Sequence, residues 1–308
     1  MTHPRRFRFG VELQRPFDGS SWADSARRLE DLGVSTLFVP DHFHQGFGPI
    51  AAMATAAAVT TTLHVAPLVL AADFRHPAVL ARELASIDVL SEGRLEVGVG
   101  AGYNPLDYSR SGIRMDPPRV RVDRMIEHIR VLKMLWADSG PVTFEGQHYR
   151  ISELDGTPKP HRPGGPPVIA AGGGRRILQF AAAEADIVGV NVSTEPGSKG
   201  DGRPDSIDDK LRWMREAAGD RVDSLELNAW VSVAAVTDSA DEVAARITGR
   251  LGGTVQEVLD SPLTLFGSPQ QIAERMHQRR DRWGYSYFTL QADRLDEFAP
   301  IIASMTGT

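Results

Sequence analysis

Short aliphatic and β-branched runs alternate with longer segments of helical period along the whole chain, the pattern of parallel strands joined by crossover helices. The runs fall at 7–13, 36–40, 63–70, 95–99, 167–171, 187–190, 225–236 and 285–291. Eight such strands close a barrel, so the predicted fold class is α/β, a (β/α)8 TIM barrel with insertions. An open doubly wound sheet shares the alternation but accounts for it less economically. The 308 residues fit one such unit, and a single domain over 1–308 is expected.

Punctuation agrees with the pattern. Pro77 opens a helix whose Leu80, Leu84 and Ile87 share a face, and Gly93 follows its end. Between 116 and 136, Val122, Met125, Ile126, Ile129, Leu132 and Trp136 recur at helical spacing, with Asp116 predicted as N-cap before Pro117. Ser268 before Pro269 repeats the device. Two segments interrupt the alternation: 142–151 reads as a hairpin centred on Glu145 and Gly146, and 193–205, rich in Gly, Pro, Ser and charge, reads as a mobile loop. Beyond the alternation there is no internal repeat.

Charge narrows the partners. The formal net charge is -6, with acids and bases interspersed, so no basic block is available to follow a nucleic-acid backbone. No stretch has the length to span a bilayer and the start carries no signal-peptide pattern, so a soluble, cytoplasmic protein acting on a small molecule is expected. With no cysteine, disulfides, thiolate nucleophiles and cysteine-ligated metals are excluded, and redox chemistry requires a bound organic cofactor.

Candidate chemistry clusters just past strand ends. Asp41, His42 and Phe43 follow the second run, where barrel catalysis occurs. An imidazole there can donate a hydrogen bond or shuttle a proton, with Asp41 biasing its tautomer; the alternative is a histidine satisfied by backbone. Gly172, Gly173, Gly174, Arg175 and Arg176 lie between Val168–Ala171 and a helical segment, an arrangement that offers backbone N–H groups and a helix dipole to a phosphate, or that simply turns the chain. Gly98, Gly100 and Gly102 end the fourth run, and alone they read as a tight strand exit. His42 and His44 have no accompanying acidic metal-ligand pattern, so no metal is expected, and no Gly-x-Ser-x-Gly elbow supports a serine triad.

Taken in order, Val39-Pro40-Asp41-His42-Phe43, Asp73-Phe74-Arg75-His76-Pro77, Leu90-Ser91-Glu92-Gly93-Arg94, Gly98-Val99-Gly100-Ala101-Gly102-Tyr103-Asn104, Ala170-Ala171-Gly172-Gly173 and, near the end, Leu265 to Ile272 resemble the luciferase-like monooxygenase superfamily, and within it the branch that uses the deazaflavin coenzyme F420. The resemblance implies a luciferase-like barrel with the cofactor ring against the third strand at Pro67, Leu68 and Leu70, where relatives often carry a non-prolyl cis peptide. It places Asp41, His42, Gly100, Ala101, Gly102 and Asn104 around the ring, and Ala170, Ala171, Gly172, Gly173, Gly174 and Arg175 on the phosphate. His42 becomes the catalytic residue. Tyr103 stands where the family's sugar-phosphate dehydrogenases have glutamate, which points away from glucose 6-phosphate. Tyr103, Glu12, Phe43, Asn191 and Trp230 are then the candidate substrate wall, and a homodimer through flanking helices is expected by analogy. Three functions stay open: hydride transfer between F420 and an organic substrate, an FMN-dependent two-component monooxygenase, and a cofactor-binding protein without turnover.

Overall fold

The computed structural model describes residues 5–44, 46–192 and 201–308. The chain divides into two compact units, one comprising 1–12, 31–35 and 170–308, the other 13–30 and 36–169.

The first strand, β1 (Arg8–Glu12), belongs to the former unit, and helix α1 (Trp22–Asp31) buries Trp22, Ala26 and Leu29 on one stripe. In the second unit follow β2 (Thr36–Val39), α2 (Pro49–Val59), β3 (His64–Pro67), β4 (Leu70–Ala71), α3 (Pro77–Leu90), β5 (Val97–Gly100), α4 (Pro105–Ser111) and α5 (Pro118–Trp136). The predicted hairpin is present as antiparallel β6 (Val142–Glu145) and β7 (Arg150–Leu154). Strand β2 is buried at every position, as expected of a parallel strand covered on both faces. It pairs with β3 in register Val39 to Pro67, while β4 pairs with β5 at Leu70 to Val99 and Ala71 to Gly100. The expected single strand over 63–70 is divided into β3 and β4, with the non-prolyl cis bond Leu68–Val69 between them; Val65 of β3 also bridges Leu95 on the β5 side. That bond lies one residue beyond Pro67.

Close approach at this crossing dictates the glycines of β5. A Cβ on Gly98 would run into the Pro67 carbonyl oxygen and lie 2.9 Å from Val69 Cγ1, and one on Gly100 would lie 2.5 Å from Val69 Cγ2. Helix α5 buries Met125, Ile129, Leu132 and Trp136 as the periodicity requires. Its N-cap is Pro117 and not Asp116, whose carboxylate is drawn away by Arg114 and Arg124.

Strand β8 (Val168–Gly172) leads into the other unit, which continues with α6 (Arg175–Glu184), β9 (Ile187–Val190), α7 (Pro204–Ala218), β10 (Glu226–Trp230), β11 (Val233–Val236), α8 (Ala240–Leu251), α9 (Val255–Asp260), β12 (Thr264–Gly267), α10 (Pro269–Trp283), β13 (Tyr285–Gln291) and α11 (Leu295–Met305). Strand β13 lies between β1 and β10, both parallel to it, and β10 continues to β9. The run 225–236 breaks in two: Val231 N–H donates to Thr289 O, Ser232 N–H turns to Leu263 O, and β11 then pairs with β12, a strand absent from the sequence reading. Helix α10 starts on the predicted Ser268 cap, a full capping box with Gln271. Of the loop expected over 193–205, 193–200 lie outside the described residues, and Pro204 already begins α7. No helix among the described residues is long and apolar enough to cross a membrane.

Gly98→Ala is expected to cost about 1–3 kcal/mol in urea unfolding, since a carbonyl oxygen cannot rotate aside. A second expectation concerns acid. Fully buried His128 is held neutral, its pKa pushed down to about 3 first by burial and then by the positive charges of His76 and Arg75. The unfolded chain binds that proton more readily, so the contribution to stability is complete above the ordinary value of 6.5 and is lost as pH falls toward about 3. Unfolding free energy measured against pH should fall less steeply across that window in His128→Gln.

Candidate functional site

The turn after β2 carries the densest polar chemistry of its unit. Asp107, in the first turn of α4, projects a carboxylate that is almost wholly buried. It accepts from His42 Nδ1 at 2.6 Å, His44 Nδ1 at 3.0 Å and the Phe43 backbone N–H at 3.0 Å. Burial works against its charged form, but the hydrogen bonds from His42, Phe43 and His44 outweigh it and hold the carboxyl below its usual range. An ionised carboxylate can only accept, so each imidazole in its neutral form carries its proton on Nδ1. The lone pair of His42 is then on Nε2, and the Tyr103 hydroxyl, 3.3 Å away, donates to it.

Asp41 does not set this tautomer. Its two oxygens take Arg75 in a bidentate pair at 2.6 and 2.9 Å, and one also accepts the Ala71 N–H at 3.1 Å. The partner of His42 lies 65 residues along the chain, and no local sequence signal marks it. Asp107 also joins His42 and His44 into a cluster whose ligand atoms all lie within 4.8 Å of one another.

Around this cluster the remaining predicted residues of the unit take distinct places. Phe43 is exposed, its ring 4.9 Å from Phe74. Pro67 and Leu70 are buried and Leu68 is half-buried beside the cis bond. Gly100 meets Val69, and Gly102, at φ 71°, lies under the Tyr108 hydroxyl with no room for a Cβ. The carbonyls of Ala101 and Gly102 accept from Arg121, and Asn104 caps α4 by accepting from Leu106 N–H at 3.1 Å.

In the other unit the glycine turn leads from β8 into α6. Ala170 is buried and Ala171 half-buried on the strand. Gly172 is needed for packing, because a Cβ there would strike Ile177, and its carbonyl accepts from Asn191 N–H at 2.9 Å. The Asn191 carbonyl in turn accepts from Lys210, a buried cation paired with Asp201 at 2.6 Å. Gly174 is different: a Cβ would meet nothing within 4 Å, and as N-cap of α6 it offers no side chain to the first-turn N–H groups. That donor set suits a phosphate, so the chain has a fitting seat for the anionic tail of a flavin or deazaflavin. Arg175, exposed beside it, lies 5.8 Å over the Trp213 ring and 3.9 Å from Glu216. Trp230 Nε1 donates to Glu12 at 2.8 Å, which ties two of the proposed substrate-wall residues to each other.

Similarity to known proteins is consistent with this fold. Residues 6–248 match the luciferase-like monooxygenase family, and the chain belongs to it. An F420-dependent glucose-6-phosphate dehydrogenase of Kineococcus radiotolerans is 29% identical over 194 residues, 60% of this chain. The chain spans about half the length of the curated relatives it matches: 56% of that one and 50% of a namesake from Amycolatopsis mediterranei. Among solved structures, the coenzyme F420 dependent tetrahydromethanopterin reductase of Methanopyrus kandleri superposes with a TM-score of 0.76 at 16% identity, covering 98% of this chain and 99% of its own. The oxygenating constituent of 3,6-diketocamphane monooxygenase from Pseudomonas putida, in complex with FMN, gives 0.69 at 18%, covering 98% of each. The fold is thus the α/β TIM barrel of luciferase-like proteins.

If α6 receives a phosphate, Gly174→Asp separates binding from folding. A carboxylate at the N-cap should leave stability unchanged or raised by roughly a few tenths of a kcal/mol. Affinity for a phosphorylated flavin or deazaflavin, followed by ring absorbance, should fall at least about tenfold from the added like charge.

Proposed function

We propose that the chain is an F420-dependent oxidoreductase that moves hydride between the deazaflavin and a small organic alcohol or carbonyl compound. The observation that carries this reading is the Asp107, His42, Tyr103 chain, in which one buried carboxylate accepts from Nδ1 and so directs the lone pair of the neutral ring form to Nε2. Relatives with F420-dependent names support the cofactor assignment.

When bound, the deazaflavin supplies a ring carbon that exchanges a hydride but reacts poorly with oxygen. Everything else falls to the chain. In the oxidising direction His42 Nε2 takes the hydroxyl proton while the hydride leaves the carbinol carbon, and the resulting imidazolium is stabilised by Asp107 through the Nδ1–H bond. In the reducing direction the same Nε2 returns the proton to the carbonyl oxygen. Ala170, Ala171, Gly172, Gly173, Gly174 and Arg175 are assigned to the phosphate, with Asp41 and the 67–70 stretch assigned to the ring.

The test is titration with F420 and with FMN, read as perturbation of the ring absorbance, followed by turnover with alcohols and ketones. F420 should bind, His42→Ala should bind it with unchanged affinity, and turnover should fall about 10²–10⁴-fold. Asp107→Asn should lower kcat on a similar scale, since an amide in that place favours the other tautomer. Micromolar FMN binding without F420 binding, together with oxygen consumption by the reduced flavin, would replace this reading with a monooxygenase. A wild type that binds F420 yet turns over no donor would leave a binding protein.

A further inference from the structure

We propose that His42, His44 and Asp107 form a binding site for a divalent transition-metal ion of the zinc, cobalt or nickel kind, and that its occupancy blocks proton transfer at His42. Binding stands on the cluster alone; only the inhibitory consequence rests on the reaction proposed above.

Three features make the cluster a site. Its ligand atoms are two imidazole nitrogens and a carboxylate oxygen, all within 4.8 Å of one another, a donor set that selects borderline cations over calcium or magnesium. The Nδ1 atoms already converge on opposite oxygens of one carboxylate, at 2.6 and 3.0 Å. Ligands about 2.1 Å from a tetrahedral ion sit roughly 3.4 Å apart, so an ion in place of the bridging protons needs the 2.6 Å His42 contact to open by about 0.8 Å and the 3.0 Å His44 contact by about 0.4 Å, while ligand atoms up to 4.8 Å apart draw together. Finally, Phe43 N–H also donates to Asp107 Oδ1, an outer-sphere bond of the kind that orients a metal ligand, and the exposed His44 leaves the remaining positions open to water.

The consequence follows from the tautomer. An ion on Nδ1 displaces that proton to Nε2, so a neutral His42 becomes a donor where it was an acceptor. It then can neither accept from Tyr103 nor remove a hydroxyl proton.

The experiment begins with full-length protein freed of metal by a chelator. Cobalt(II) should give visible ligand-field bands of a nitrogen and oxygen site at one equivalent, and zinc should displace it in calorimetric titration. His44→Ala and Asp107→Asn should each weaken zinc by about 10–100-fold. Nitrogen NMR of wild type should show His42 Nε2 passing from unprotonated to protonated on zinc addition. Zinc at one equivalent should suppress F420-linked turnover of wild type, while His44→Ala, referred to its own metal-free rate, should resist. Failure to find one equivalent, equal affinity in His44→Ala, or full turnover with the site saturated would each overturn the proposal. Should no donor be turned over at all, the proposed reaction falls while the cobalt spectrum and the nitrogen shifts still decide the site.

Discussion

One carboxylate governs the chemistry of the turn after β2. Asp107 accepts from two imidazoles and one backbone N–H of a three-residue stretch, so the orientation of His42, its tautomer and the conformation of 42–44 share a single anchor. The neighbouring acids are committed elsewhere. Asp41 holds Arg75 and the Ala71 N–H, and Asp73 accepts from Tyr108 at 2.9 Å and Arg124 at 2.6 Å. These pairs lock the strand ends, and they leave the imidazoles to Asp107 without competition.

Glycine serves two different ends in the two glycine-rich turns. At β5 it admits backbone and side chains: Pro67 and Val69 crowd Gly98 and Gly100, and Tyr108 crowds Gly102. Arg121 then takes the carbonyls of Ala101 and Gly102, so the exit from β5 is closed by protein groups. At α6 Gly172 does the same for Ile177, but Gly174 faces open space at an uncapped helix start. An anion seat requires what Gly174 has, a helix start without a capping side chain and no neighbour within reach of a Cβ.

The strand and helix alternation is legible because a parallel strand buried on both faces favours a near-continuous apolar run, which β9 supplies and β2 supplies after Thr36. Failures arose where such a run changes partner. Across 225–236 nothing in the residues shows that β11 leaves β13 for β12, and β12 itself reads as the approach to the Ser268 cap. The rim position of His42 was visible from the strand before it, whereas Asp107 in the first turn of a helix resembles any acid favoured there by the dipole. Asp41 is adjacent to His42 in sequence, yet it is Asp107 that accepts from Nδ1. Adjacency along the chain does not determine which oxygens remain unclaimed once Arg75 arrives.

The tautomer also gives Tyr103 a meaning that its position alone does not. Its phenol donates to the one lone pair on His42 that a substrate hydroxyl would need, and its ring, largely exposed, stands edge-on to the imidazole at 5.6 Å. A carboxylate at that position would instead have to be protonated to donate, or would pull the imidazole toward its doubly protonated form. With a phenol, the acceptor role of Nε2 is met by a neutral donor. Under the proposed reaction the Tyr103 oxygen therefore marks where a substrate oxygen must come, and displacing one neutral hydroxyl by another exchanges like for like.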